Sequence, residues 1–207
     1  ICAIQVGAGI TIIGVLSFIP LYLVDLGLTN QGEAAMWAGL VSGVTPCMVA
    51  LSAPFWSRKA NELGPRRVMM FILATLMLAV GAAGFAQTPS QLLVLRTLQG
   101  LVGGFVPIGL GIIVLITPEE HVPWAMGLYQ ASMLMGLVFG PLMGGLAADL
   151  LGYRAPFFMF SILSGLCLLG VYLLMPNLQH THKVDSNESQ WALIKSFLAI
   201  PRVRLLV

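Results

Sequence analysis

Six long apolar stretches constrain this chain more than any other feature of its sequence. They lie at about residues 1–24, 36–56, 68–87, 91–116, 124–148 and 155–175. Each is close to the roughly 20 residues that an α-helix needs to cross a bilayer. Because only 9% of the residues are charged, the chain cannot give such helices a water-soluble surface. The sequence therefore predicts an all-α membrane protein with six transmembrane helices.

The positions of the basic residues predict how these helices are oriented. Basic side chains follow the second and sixth spans: Arg58, Lys59, Arg66, Arg67, Lys183, Lys195, Arg202 and Arg204. The connections expected on the other side contain one basic residue, Arg154. Since cytoplasmic loops carry an excess of Lys and Arg, the loop at 57–67 and the C-terminal tail are predicted to be cytoplasmic.

The chain is predicted to have three parts. Residues 1–175 form a six-helix transmembrane bundle, and the polar stretch 176–200 is typical of a cytoplasmic linker between two bundles. Residues 201–207 are interpreted as the start of a seventh helix. We therefore expect a second six-helix bundle to complete the protein.

Small residues recur at every fourth position of the fifth span. They are Ser132, Gly136, Gly140, Gly144 and Ala148. This spacing places them on one helical face, where a neighbouring backbone can approach closely. Pro141 removes a backbone donor from the middle of this face and is expected to bend the helix. The pattern predicts a tightly packed helix that can move against its neighbour.

Two segments repeat the same pattern 88 residues apart. The first contains Ser57, Asn61, Gly64 and Arg66, and the second contains Gly145, Asp149, Gly152 and Arg154. The predicted topology places them on opposite sides of the membrane, as expected of a three-helix unit repeated in inverted orientation. Chance similarity in a biased composition is the alternative. The two glycines are expected to adopt positive φ in short turns.

Arg96 is the one basic residue well inside an apolar span. An arginine at the bilayer centre costs about 2.5–3.5 kcal/mol, although near a helix end it can extend to the interface instead. It has Gln99 beside it and shares a predicted helical stripe with Gly100, Gly103, Pro107 and Gly111. This position indicates that the Arg96 side chain faces a cavity or a partner group and not lipid. No acidic residue lies deep in the six spans, so a proton-exchanging carboxylate would be peripheral or lie in the second bundle.

Three further polar side chains are candidates for lining a solute pathway. They are Gln5, Thr11 and Gln130. Hydrogen bonds between helices are the alternative interpretation of each of them.

These motifs resemble the N-terminal half of a major facilitator superfamily transporter of the drug:proton antiporter group. The stretch from Leu92 to Gly104 is similar to the fourth-helix motif of that group, whose arginine, here Arg96, is implicated in proton coupling. The glycines of Gly136–Gly145, with Pro141, are similar to the fifth-helix antiporter motif, which is thought to set the helix bend used in alternating access. The resemblance implies half of that fold, built as a 3+3 inverted repeat.

The loop at 57–67 departs from the family pattern. Ser57 stands for a glycine, Asn61 for an aspartate, Glu62 for an arginine and Pro65 for an arginine. The family aspartate is thought to latch the outward-open state through charged contacts. An asparagine keeps a hydrogen bond and loses the charge, so a weakened or rewired latch is expected here.

The resemblance implies a secondary active transporter that exports small amphipathic compounds or drugs across the bacterial plasma (inner) membrane. Its expected partners are the lipid bilayer, a small-molecule substrate and the six-helix C-terminal half, with no nucleic acid. It would use an ion gradient of protons and no cofactor or metal. The sequence contains no His-Glu-x-x-His or Gly-x-Ser-x-Gly motif, which argues against an enzyme. A specific metabolite transporter of this fold and a non-transporting sensor or partner-binding protein are the alternatives.

Overall fold

The computed structural model describes residues 1–28 and 30–175, and the regular structure of these residues is entirely helical. A short 3₁₀ turn, Glu119–His121, precedes α6. The α-helices are α1 (Cys2–Asp25), α2 (Gln31–Leu63), α3 (Pro65–Ala83), α4 (Pro89–Leu101), α5 (Phe105–Ile116), α6 (Val122–Leu151) and α7 (Ala155–Leu174). They make six candidate membrane spans, because α4 and α5 together form the fourth. The predicted linker at 176–200 and seventh helix at 201–207 lie outside the described residues.

The fourth span is broken, so the prediction of one continuous helix over 91–116 was wrong. α4 ends at Leu101 and α5 begins at Phe105. Gly103 and Gly104 lie in the gap, where two adjacent glycines weaken any helix. Pro107 lies in the first turn of α5, where its missing N–H has no partner to lose.

The second span is longer than predicted. α2 continues to Leu63, so residues 57–63 are helical and only Gly64 separates α2 from α3. The predicted loop at 57–67 is therefore two final turns of α2, a single turn residue and the start of α3. The prediction of a loop depended on the charged side chains of this segment. A helix that extends beyond the apolar span can carry such side chains on its exposed face.

The packing of the helices has the symmetry of an inverted repeat. α1 packs most extensively against α6, α3 against α7, and α2 against α4. Exchanging the first three spans for the last three converts the α1–α6 pair and the α2–α4 pair into each other, and the α3–α7 pair into itself. Since successive spans are antiparallel, the turns at Gly64 and Gly152 lie at opposite ends of the bundle. The inverted repeat predicted from the sequence is confirmed.

The two repeat turns also share their backbone geometry. Gly64 has φ 93° and Gly152 has φ 88°, as predicted. The N–H of Gly64 donates to the carbonyl of Ala60 at 3.0 Å, and that of Gly152 to Ala148 at 2.9 Å. The repeat thus includes a further matched pair, Ala60 and Ala148.

Candidate functional site

The small-residue face of α6 lies directly against the backbone of α1. A Cβ added at Gly136 would lie 2.6 Å from the carbonyl carbon of Gly9, and one at Gly140 would lie 2.8 Å from the amide nitrogen of Gly14. Real Cβ atoms do not approach other atoms so closely, so only glycine fits at either position. The predicted close approach is confirmed, and Ser132, Gly144 and Ala148 are buried along the same face.

The other two residues of this motif have different surroundings. Gly145 lies on the exposed side of α6, where an added Cβ would meet nothing within 4 Å. Pro141 is half-buried inside a helix that stays continuous from Val122 to Leu151.

Glycines of the fourth span make an equivalent contact with α2. A Cβ added at Gly100 would lie 2.6 Å from the carbonyl oxygen of Thr45, and one at Gly104 would lie 2.5 Å from Cβ of Trp56. The two helix pairs related by the repeat therefore both depend on glycine for close packing.

Side chains of α2 bond to the carbonyl groups at the end of α4 and in the break. The Ser52 hydroxyl lies 3.0 Å from the carbonyl oxygen of Gly100 and 3.1 Å from that of Gly103, and it can donate to one at a time. Trp56 Nε1 donates to the Leu101 carbonyl at 2.7 Å. These bonds replace some of those that a continuous helix would make, which is how a membrane helix tolerates a break. Sequence analysis missed both residues, although with Thr45 they recur at helical spacing on one face of α2.

We expect Ser52→Ala to lower the free energy of unfolding by about 0.5–2 kcal/mol, because it removes the hydroxyl that bonds to the Gly100 and Gly103 carbonyl groups at the break. Ser42→Ala is the matched control, because the structure shows no hydrogen bond for the Ser42 side chain among the described residues. Denaturant titration of both variants in detergent measures the difference. Equal losses would show that Ser52 does not stabilise the break.

Arg96 lies inside the bundle, and Gln99 is the one hydrogen-bond partner of its guanidinium among the described residues. Only 1% of its surface is exposed. Nη1 donates to Oε1 of Gln99 at 3.2 Å. Nε and Nη2 of Arg96, and Nε2 of Gln99, are buried without a hydrogen-bond partner among the described residues. This burial does not fit an arginine that extends to the membrane interface.

The predicted stripe along the fourth span does not continue beyond the break. Pro107 and Gly111 are exposed, whereas Gly100 is buried. The break at 102–104 changes the helical phase, so residues spaced for one continuous face point in different directions. The predicted stripe was wrong for its last two members.

The three candidates for the solute pathway lie in different environments. The Thr11 hydroxyl donates to the Gly7 carbonyl at 3.0 Å, and this fully buried residue packs between helices. Gln5 is 1% exposed, and its Oε1 has no partner among the described residues. Gln130 is exposed on α6. Neither these three side chains nor Arg96 lines the cavity beside the start of α4 or the cavity between α1 and α2.

The predicted latch residues lie where α2 meets α3. Nη2 of Arg66 donates to the Tyr172 carbonyl at 2.5 Å and so connects the start of α3 to the end of α7. Asn61 is exposed, and Ser57 is half-buried. Glu62, which replaces the family arginine, pairs with Lys59 at 2.6 Å within α2. At the opposite end of the bundle, the counterparts Asp149 and Arg154 are exposed.

Comparisons with known proteins agree with this architecture. A family model described as Major Facilitator Superfamily matches residues 1–207. "Multidrug resistance protein MdtG" of Proteus mirabilis is 31% identical over 185 residues, which are 89% of this chain and 46% of that protein. The protein of the same name from Rahnella sp. is 36% identical over 155 residues, 75% of this chain and 38% of that protein. The chain thus spans less than half the length of these curated relatives.

Proposed function

The chain belongs to the Major Facilitator Superfamily, and we propose that it forms the N-terminal half of a transporter that exports small amphipathic compounds in exchange for protons. Membership of this family makes it an integral membrane protein and a transporter protein, not an enzyme. The names of the relatives, multidrug resistance proteins, support drugs as the substrates.

The contact between α1 and α6 is the observation that carries this proposal. Along Gly9, Gly14, Gly136 and Gly140 the two backbones meet without interlocking side chains. Rocking or sliding of such helices requires little side-chain repacking. Alternating access needs helices that change their contacts reversibly while they stay packed.

Arg96 supports the proton-coupling part of the proposal. A buried cation stabilises the charged form of a nearby carboxylate and so makes proton release depend on the distance between the two groups. The described acidic residues lie at helix ends or in connections. In this proposal the second half therefore contributes the carboxylate, and helix movement changes its distance from Arg96.

The charge distribution supports a location in the bacterial inner membrane with the Gly64 turn in the cytoplasm. Arg58, Lys59, Arg66 and Arg67 surround that turn, whereas Arg154 is the one basic residue near the turn at Gly152. The relatives are bacterial proteins.

Transport by the full-length protein in proteoliposomes tests the proposed function. We expect export of ethidium when a pH gradient is imposed, and little export after an ionophore collapses the gradient. The Arg96→Ala variant should insert into the membrane and lose gradient-driven export. Export that is unaffected by the gradient, or an Arg96→Ala variant with wild-type export, would contradict proton coupling through Arg96.

The proposed latch leads to a prediction for Asn61. Restoring the family carboxylate with Asn61→Asp should favour the outward-open state and reduce labelling of cysteine probes on the cytoplasmic side. Asn61→Gln, which adds no charge, is the matched control and should label like the wild type. Equal labelling of the two variants would count against a latch at this position.

A further inference from the structure

The carbonyl group of Tyr172 lies in the last turn of α7 and lacks its regular helical donor. In an α-helix, a carbonyl accepts a hydrogen bond from the N–H four residues later. The N–H of Met175 donates to the Val171 carbonyl at 3.2 Å. The next donor would belong to residue 176, which is a proline and has no N–H. The sequence itself therefore removes the helical partner of the Tyr172 carbonyl.

Arg66, at the start of α3, donates to this carbonyl. Its Nη2 lies 2.5 Å from the Tyr172 carbonyl oxygen, and its Cζ lies 5.7 Å from the centroid of the Tyr172 ring. A cation is favoured at the C-terminal end of a helix, because the partial charge of the last carbonyl groups is negative. Arg66 thus supplies to α7 the donor that the following residue of the chain cannot supply.

The end of α3, which the inverted repeat relates to the end of α7, is also held by a side chain from another helix. The hydroxyl of Tyr22, in α1, lies 3.2 Å from the carbonyl oxygen of Ala83 and 3.1 Å from that of Ala86. This hydroxyl can donate to one of them at a time. The third helix of each repeat therefore ends against a donor that comes from elsewhere in the bundle.

We propose that Arg66 is the capping donor that Pro176 makes necessary, and that it fixes the point at which the chain leaves this bundle for the predicted linker. Without Arg66, the Tyr172 carbonyl has no donor in the last turn of α7, so that turn should open more easily. With Arg66, the turn is attached to the start of α3. One consequence rests on the proposed function: the end of α7 stays folded while the two halves of the transporter change their relative positions.

Hydrogen–deuterium exchange of the full-length protein in dodecyl maltoside tests the proposal. The readout is the exchange rate of the amides of Leu173, Leu174 and Met175, whose hydrogen bonds form the last turn of α7. We expect Arg66→Ala to raise this rate about fivefold, because the turn loses a hydrogen bond from a charged donor. Arg67→Ala removes the same charge from an adjacent exposed residue. It is the matched control and should exchange like the wild type.

Pro176→Ala assigns the effect to the missing backbone donor. It restores an N–H four residues after Tyr172, so a second donor becomes available to the carbonyl. Adding Arg66→Ala to this variant should change the exchange rate by less than about twofold. The comparison of Pro176→Ala with the double variant tests the proposal even where Arg66→Ala alone fails to fold, because both retain a donor for the carbonyl.

Three results would overturn the proposal. An unchanged exchange rate in Arg66→Ala would show that the last turn of α7 needs no donor from α3. Equal increases in Arg66→Ala and Arg67→Ala would assign the effect to the loss of a charge. A double variant that fails to fold, or that exchanges about as fast as Arg66→Ala, would show that Arg66 does not replace a backbone donor. The measurement involves no transport, so its failure is distinguishable from failure of the proposed function.

Discussion

Gly136→Ala is expected to lower the free energy of unfolding by about 1–3 kcal/mol, because the new methyl group cannot be accommodated between α6 and α1. The added Cβ would lie 2.6 Å from the carbonyl carbon and 2.7 Å from the Cα of Gly9. These are backbone atoms of a helix, which cannot rotate away as the end of a side chain does. α6 and α1 must therefore move apart along their contact, which is the most extensive helix–helix contact among the described residues.

Gly145→Ala is the matched control for this prediction. Gly145 belongs to the same motif and helix, but an added Cβ there would meet nothing within 4 Å. Alanine favours a helix by about 1 kcal/mol relative to glycine, so this variant should be as stable as the wild type or slightly more stable. Thermal and denaturant unfolding of the full-length protein in detergent measures both variants. Similar losses for the two would show that the contact at Gly136 does not determine stability.

Arg96→Met is expected to abolish proton-coupled transport while leaving the fold intact. Two of the three guanidinium nitrogens lack partners among the described residues, so the charge contributes little to folding. Replacing a buried ion pair by apolar side chains of similar volume is often neutral or stabilising by about 1–4 kcal/mol, and we expect the same direction for this incompletely bonded guanidinium. We therefore expect the unfolding free energy to stay unchanged or rise, and gradient-driven export to fall at least tenfold.

Transport and stability must be measured on the same preparation of Arg96→Met. Lost export with retained stability would assign a functional role to the charge. Lost export together with lost stability would instead show that Arg96 holds the bundle together. Leu92→Met, one of the fully buried positions on the same helix, is the control for a methionine in this part of the core.

The parts of the fold that depend on local pattern could be predicted from the sequence. Apolar length gave the six spans, and the four-residue spacing of Gly136, Gly140 and Gly144 gave the face that contacts α1. The positive φ of Gly64 and Gly152 followed from their place in short turns. Each of these features depends on the chemistry of neighbouring residues along the chain.

The features that were missed depend on contacts between distant residues. The break at 102–104 is stabilised by Ser52 and Trp56 of another helix, so hydropathy alone could not reveal it. Residues 57–63 are helical because α2 continues beyond the end of its apolar stretch. Hydropathy marks the apolar stretch and does not mark where the helix ends.

The Arg96–Gln99 pair could be predicted because residues three apart share a helical face. That Nε and Nη2 of Arg96 lack hydrogen-bond partners among the described residues could not be predicted, because it requires knowledge of every side chain packed around the guanidinium.

The central claim is that a solute is exchanged for protons. The most direct test is to measure whether movement of a solute drives protons across the membrane. The full-length protein is reconstituted into vesicles that enclose a pH-sensitive dye, and ethidium is then added outside without any imposed gradient. The account predicts that the lumen becomes more alkaline as ethidium enters and protons leave, and that Arg96→Met vesicles show no such change. Entry of ethidium into wild-type vesicles at constant lumenal pH would contradict proton antiport.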